Sequence, residues 1–193
     1  MKKIFFLALL PVILTINSFG QLQRHDLSFS AGIYSSNFFD AVSYDIFTDQ
    51  NYNESISKTV GEQTGALYLT YRFFPVPKLT IGITGGFERV KGKIQTNSML
   101  DGYYYNDYVS GALEIDYRYI KKPRFQLYSG AGIGIMFNEE TNEMPDNYEF
   151  NENFNLAYQI NLIGIRYGGI FGVFLEAGFG YKGIIKAGMS VQL

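Results

Sequence analysis

The sequence of 193 residues contains no cysteine, no tryptophan and only one histidine, His25. Without cysteine there is no disulfide framework and no thiolate metal site. A hydrolase needs a nucleophile and a base held together, and His25 lies at the start of the first candidate strand. Adjacent carboxylates such as Glu139 and Glu140 can move protons, but a run of acids is usually a solvated surface. We therefore expect no enzymatic activity, no catalytic residues, no cofactor and no metal centre.

The chain also lacks an excess of positive charge. It has 16 basic and 18 acidic residues and a formal net charge of −2. Domains that bind nucleic acid are instead strongly basic. We expect no nucleic-acid partner.

Long apolar runs are missing except at the N-terminus. There, Lys2 and Lys3 precede a short apolar stretch, residues 4–16, and small residues follow at Ser18 and Gly20. This is the pattern of a secretory signal peptide. The stretch is shorter than the roughly 20 residues of a transmembrane helix. We predict a cleaved signal peptide at 1–20 and one mature domain at 21–193.

The mature chain is rich in aromatic residues and in short alternating runs, with 16 tyrosines and 17 phenylalanines in the whole sequence. Alternation of apolar with small or polar residues predicts strands that have one apolar face. The clearest case is the C-terminal segment 170–193, which predicts a β-hairpin. Its last strand needs a partner, and pairing with the first strand would close a barrel.

Eight alternating segments predict an all-β fold, an eight-stranded antiparallel up-and-down transmembrane β-barrel. They cover roughly residues 25–34, 64–74, 79–88, 109–119, 125–137, 154–167, 171–181 and 185–193. In the sixth segment the apolar parity changes near Asn161 and Leu162, which predicts a bulge.

The connections between these segments differ in length in a regular way. The polar segments 35–63, 90–106 and 138–152 predict long loops at one end of the barrel, whereas 75–78, 121–123 and 168–169 predict short turns at the other. Residues 182–183 predict one tight turn at the loop end. Long loops at one end and short turns at the other are typical of outer-membrane barrels.

A soluble barrel of lipocalin type would alternate in the same way, but with a charged outer face. Here the polar parity carries glycine, serine and threonine with few charges. The apolar parity carries aromatic residues near the strand ends, as the girdles of membrane barrels do. These residues are Phe73, Tyr117, Tyr119, Phe125, Phe137, Tyr167 and Tyr181. The pattern favours the membrane barrel.

From the signal segment, the loop asymmetry and the ending FLEAGFGYKGIIKAGMSVQL, the chain resembles the small eight-stranded outer-membrane barrels of Gram-negative bacteria, the outer-membrane-protein A and X type. The resemblance covers about 21–193, and the chain departs from the pattern by ending in Leu193 instead of phenylalanine. It implies a location in the Gram-negative outer membrane and recognition by the barrel-assembly machinery.

The polar parity of the strands, taken as inward, predicts a network of charges in the lumen, four positive and four negative. Its members are Arg72, Glu88, Glu114, Asp116, Arg118, Arg166, Glu176 and Lys186. Tyr68, Tyr128 and Phe174 share this parity, and an eight-stranded barrel is only wide enough for side chains to fill. We expect the arginines, which lie nearer the turn end, to reach up to the carboxylates as forked pairs.

The working hypothesis is a non-enzymatic barrel with a plugged lumen, which anchors surface loops that bind a partner or stabilise the envelope. One alternative is a narrow porin-like channel for small solutes. Another is a structural role in which cations bridge the acidic segment 138–152 to lipopolysaccharide phosphates. The expected partners are outer-membrane lipid, lipopolysaccharide and the assembly machinery. The sequence identifies no extracellular partner, and we expect a monomer.

Overall fold

The computed structural model describes residues 24–39, 56–96, 99–144 and 147–193. The predicted signal peptide at 1–20 lies outside these residues. In the described part of the chain, nine strands follow in order: β1 His25–Ile33, β2 Ile56–Gln63, β3 Ala66–Val76, β4 Leu79–Thr96, β5 Met99–Lys121, β6 Phe125–Met144, β7 Asn147–Gly168, β8 Phe171–Gly180 and β9 Ile185–Gln192. Residues 36–39 form one helical turn.

The strands close into a barrel. β1 pairs with β9 in an antiparallel register that runs from Asp26 opposite Gln192 to Ile33 opposite Ile185. β3 pairs with the first half of β4 and β2 with its second half, so β2 and β3 together form one of the eight barrel strands. All the pairings are antiparallel and β4 also pairs with β5, which completes the ring. The structure confirms the predicted eight-stranded barrel, the fold that the resemblance implied.

The predicted bulge is present in β7. The pairing of β7 with β8 shifts register between Asn161 and Ile163. Leu162 and Ile163 are both exposed on the exterior, while Asn161 and Gly164 are buried. One extra residue in the strand therefore explains the change of apolar parity.

For two of the three segments predicted as long loops, the prediction is wrong, because most of their residues form strands. Most of 90–106 belongs to the β4–β5 hairpin, and most of 138–152 belongs to the β6–β7 hairpin. Strand pairing joins backbone groups and continues where the side chains turn polar, so apolar alternation marks only the part of a strand that borders an apolar phase. The remaining predicted loop, 35–63, is described only in part. It contains the helical turn 36–39 and strand β2, and residues 40–55 lie outside the described residues.

The outer surface is apolar and the interior is polar. Leucine, isoleucine, valine and phenylalanine side chains of all eight barrel strands stand on the exterior, many of them about half exposed. This is the reverse of a lipocalin-type soluble barrel. Among the predicted girdle residues, Tyr181 is the exception, because it is buried inside the barrel. Within the described residues, no helix has the length and apolarity needed to cross a bilayer.

Neighbouring glycines in β4 give a matched test of this two-faced wall. Gly86 faces the interior, where an added Cβ would collide with the ring of Tyr68, whereas Gly85 faces outward with its nearest neighbour atom 4.0 Å away. We expect Gly86→Val to lower the free energy of unfolding in detergent micelles by about 1–3 kcal/mol, because the packed ring must move. Gly85→Val should have little effect. Equal losses in the two variants, measured by thermal unfolding, would contradict the assignment of faces.

Candidate functional site

Among the residues whose side chains the structure describes, ten charged side chains are buried in the interior, five acidic and five basic. They are Asp26, Glu88, Glu114, Asp116 and Glu176, and Arg72, Arg118, Arg166, Lys182 and Lys186. All eight charges expected in the lumen lie there. The sequence interpretation missed Asp26, which shares the inward parity of β1, and Lys182, which was predicted only to lie in a tight turn at the loop end. The two additions keep the positive and negative charges equal in number.

Arg72 of β3 stands at the centre of the interior. Its Nε lies 2.8 Å from Oδ2 of Asp116, and its Nη2 lies 3.3 Å from Oε2 of Glu114 and 3.8 Å from Oε1 of Glu176. Lys186 of β9 approaches the other oxygen of Glu176 at 2.5 Å. These charges come from strands on different sides of the barrel, so the ion pairs tie its walls together across the lumen.

The turn between β8 and β9 folds into the barrel. Glycines with positive φ stand on both sides of it, Gly180 at 136° and Gly183 at 98°, a conformation that only glycine adopts without strain. Lys182 forms an ion pair with Glu114, and the Tyr181 hydroxyl lies 2.9 Å from Oε1 of the same carboxylate. The tight turn expected at 182–183 is present, but it folds inward, and the side chains of Tyr181 and Lys182 lie in the interior.

The forked pairs expected of the three arginines form only in part, since Arg118 and Arg166 bind near the turn end. Arg118 stacks over the rings of Phe74 and Tyr128 at 4.7 and 4.8 Å and lies 3.8 Å from Asp26. Arg166 donates to the hydroxyl of Ser190 at 2.6 Å and to the turn carbonyls at 168–170. The prediction that both side chains reach the carboxylates around Arg72 is wrong. Hydrogen-bond acceptors and aromatic rings near the turn end bind them instead.

A layer of hydrogen-bonded side chains lies inside the barrel at the turn end. The amide of Gln126 donates to Oε1 of Gln192 at 2.8 Å, and the amide of Gln192 donates to Oδ2 of Asp26 at 2.6 Å. The guanidinium of Arg118 donates to Gln126. These hydrogen bonds connect β1, β5, β6 and β9.

The chain that follows β1 contacts Glu88 of β4. Glu88 accepts a hydrogen bond from the Ser35 hydroxyl at 2.6 Å and another from the Asn37 amide at 2.7 Å. Ser35 and Asn37 are fully buried. The hydroxyl of Ser35 also accepts a hydrogen bond from the backbone N–H of Phe38, as an N-cap does. The eighth predicted charge, Glu88, thus binds two residues of the segment that follows β1.

The acidic segment 138–152 occupies the β6–β7 hairpin, where Glu139 stands directly opposite Glu152. Asp146 of this segment lies outside the described residues. The described residues include no group of three or more side chains placed to hold a metal ion. The site is therefore a set of paired charges inside a barrel, an arrangement suited to holding the interior closed.

Removing one partner of the central network should destabilise the barrel strongly. Glu176→Gln leaves Lys186 and Arg72 facing a neutral group in a buried site, so we expect a loss of about 3–5 kcal/mol in the free energy of unfolding. Glu143→Gln is the matched control, because Glu143 is exposed and a surface charge contributes about 1 kcal/mol at most. Thermal unfolding in detergent compares the two variants. If they lose the same stability, the interior pairs are not a structural constraint.

Comparison with known proteins shows a likeness in structure but none in sequence. No protein-family model matches the chain, and no curated protein matches it either. Among solved structures it is similar to Ail, the attachment invasion locus protein of Yersinia pestis, with 14% identity, a TM-score of 0.42, and coverage of 86% of this chain and 91% of that one. The fold assignment does not depend on this likeness, since it follows from the strand pairing of the barrel itself.

Proposed function

We propose that this protein is a non-enzymatic outer-membrane barrel with a closed lumen, which anchors in the bilayer a sheet that extends beyond the membrane and binds partners there. In hydrocarbon, only a helix or a closed barrel satisfies all its backbone hydrogen-bonding groups. A closed barrel with an apolar exterior and a charged, paired interior meets that requirement.

The observation that carries the proposal is a sharp boundary on the exterior of β4–β7. Four apolar side chains face one another across these strands, followed two residues further out by four charged ones. The apolar row is Phe87, Val109, Phe137 and Phe154, and the charged row is Arg89, Asp107, Glu139 and Glu152. A change from apolar to charged at one level of four adjacent strands is expected where strands leave the hydrocarbon.

Beyond this boundary β4–β7 continue as a paired sheet. β4–β7 have 18, 23, 20 and 22 residues, whereas about 9–11 residues suffice to cross a membrane. The exposed face of the extension carries charged and aromatic side chains, with Nζ of Lys91 5.1 Å from the ring centre of Tyr103. Such a surface can bind polar ligands or polypeptides.

The extended sheet also has an open edge. β8 pairs with β7 only over Gln159–Gly168, and within the described residues no strand pairs with the outer edge of β7 at 147–157. An unpaired edge offers backbone donors and acceptors to an added strand. We assign partner recognition to this edge and the adjoining face.

The alternative of a narrow porin-like channel has less support. Tyr181 and Lys182 are buried inside the barrel against Glu114, and Ser35 and Asn37 are buried against Glu88. A conducting path would require these contacts to open. The alternative of cation bridges from the acidic hairpin to lipopolysaccharide gains support only from the opposition of Glu139 and Glu152.

The absence of cysteine gives a clean test of location and orientation. Glu143→Cys places a thiol on the extended sheet and Lys122→Cys places one in the β5–β6 turn, and both positions are exposed. We expect a large, membrane-impermeant maleimide to label Glu143→Cys on intact cells and Lys122→Cys only after the outer membrane is opened. Labelling in the reverse order would overturn the orientation. Recovery of the protein in the soluble fraction would overturn the membrane location.

A further inference from the structure

The apolar exterior has a groove along the seam where β1 meets β9. Its volume is about 480 Å³, and the backbone at Ser28, Gly172 and Ser190 forms its floor. Its walls include the apolar side chains Leu27, Phe29, Tyr167, Phe171, Val173 and Met189. Because both serine side chains point into the barrel, nothing polar from them enters the groove.

Small residues continue this depression away from the turn end. Ala31 and Ala187 stand opposite each other across the same seam, on the outer face. Leu67 and Leu175 are their partners on the two neighbouring strands. Small alanines on the seam between larger leucines on the neighbouring strands form a shallow trough. The trough runs along the strands, the direction in which an extended acyl chain lies in a bilayer.

The turn end of the barrel, where this trough begins, is basic. Its exposed or partly exposed charges are Arg24, Lys78, Lys121, Lys122 and Arg124. Among the described residues at this end no acidic side chain is exposed, and residues 1–23 contain none. The backbone N–H of Arg24 donates to the Leu193 carbonyl at 2.7 Å, directly at the β1–β9 seam. The carbonyl of Arg124 accepts from Gly168 at 3.0 Å on the far side of the groove.

We propose that the trough is a specific site for an anionic phospholipid of the inner leaflet, with one acyl chain lying in the groove and the headgroup phosphate bound by Arg24. A guanidinium binds phosphate oxygens in pairs, and Arg124 adds positive potential from the other side. The inference rests on the proposed membrane location. A second copy of the chain is a poorer occupant, since a symmetric interface on this seam would bring two basic rims together.

The test uses the mature chain folded in a neutral detergent, with dioleoyl phosphatidylglycerol added and bound lipids counted by native mass spectrometry. We expect one retained lipid on the unmodified protein and about tenfold weaker binding for Arg24→Gln and for Ala187→Phe, which fills the trough. Two matched controls should bind as the unmodified protein does. Lys93→Gln removes an exposed charge at the opposite end, and Ala131→Phe enlarges an outward alanine on β6, away from the seam.

Several results would overturn the site. They are equal lipid retention by all variants, equal retention of dioleoyl phosphatidylcholine and phosphatidylglycerol by the unmodified protein, and a dimer that Ala187→Phe dissociates, which would assign the trough to a second copy. Inorganic phosphate at the same concentration should not compete, because the acyl chain supplies most of the contact. Each variant is first checked for the gel-migration shift of a folded barrel on heating. If that shift is present and lipid selectivity is absent, the lipid site fails while the membrane barrel stands.

Discussion

A charge inside this barrel has to find its partner inside the barrel, because the surface on the other side of the wall is apolar. In the part of the chain that the structure describes, five acids and five bases share the interior, and an unpaired buried charge costs several kcal/mol. This constraint explains why Arg72 contacts carboxylates from β5 and β8. It also explains why Lys182 is drawn in from the β8–β9 turn to Glu114. The pairing of charges in the interior follows from this electrostatic requirement as much as from the small diameter of the barrel.

The barrel could be predicted from the sequence because alternation reports directly which side chains face an apolar phase. Parity alone placed Arg72 and Glu176 inside and located the bulge near Asn161. It failed where alternation carries no information. The polar halves of β5 and β6 were predicted as loops, although a backbone ladder needs no apolar side chain. Lys182 was left out of the predicted lumen charges because the glycine beside it marks a turn but not the direction in which the turn folds.

The two ends of the molecule differ in charge and in form. The turn end is short and basic, with Arg24 and Lys122 exposed. At the opposite end the strands extend as a sheet that carries Asp107, Glu139 and Glu152. In a membrane this polarity would favour anionic headgroups at one end and cationic or strand-like partners at the other.

The central claim is that paired charges and the inward-folded β8–β9 turn close the lumen. Recordings of the protein in planar lipid bilayers test it most directly, with Lys182→Ala, which releases the turn from Glu114, recorded beside the unmodified chain. The account predicts no steady conductance for the unmodified protein and brief or unstable openings for Lys182→Ala. A stable, ion-selective current through the unmodified barrel would contradict it.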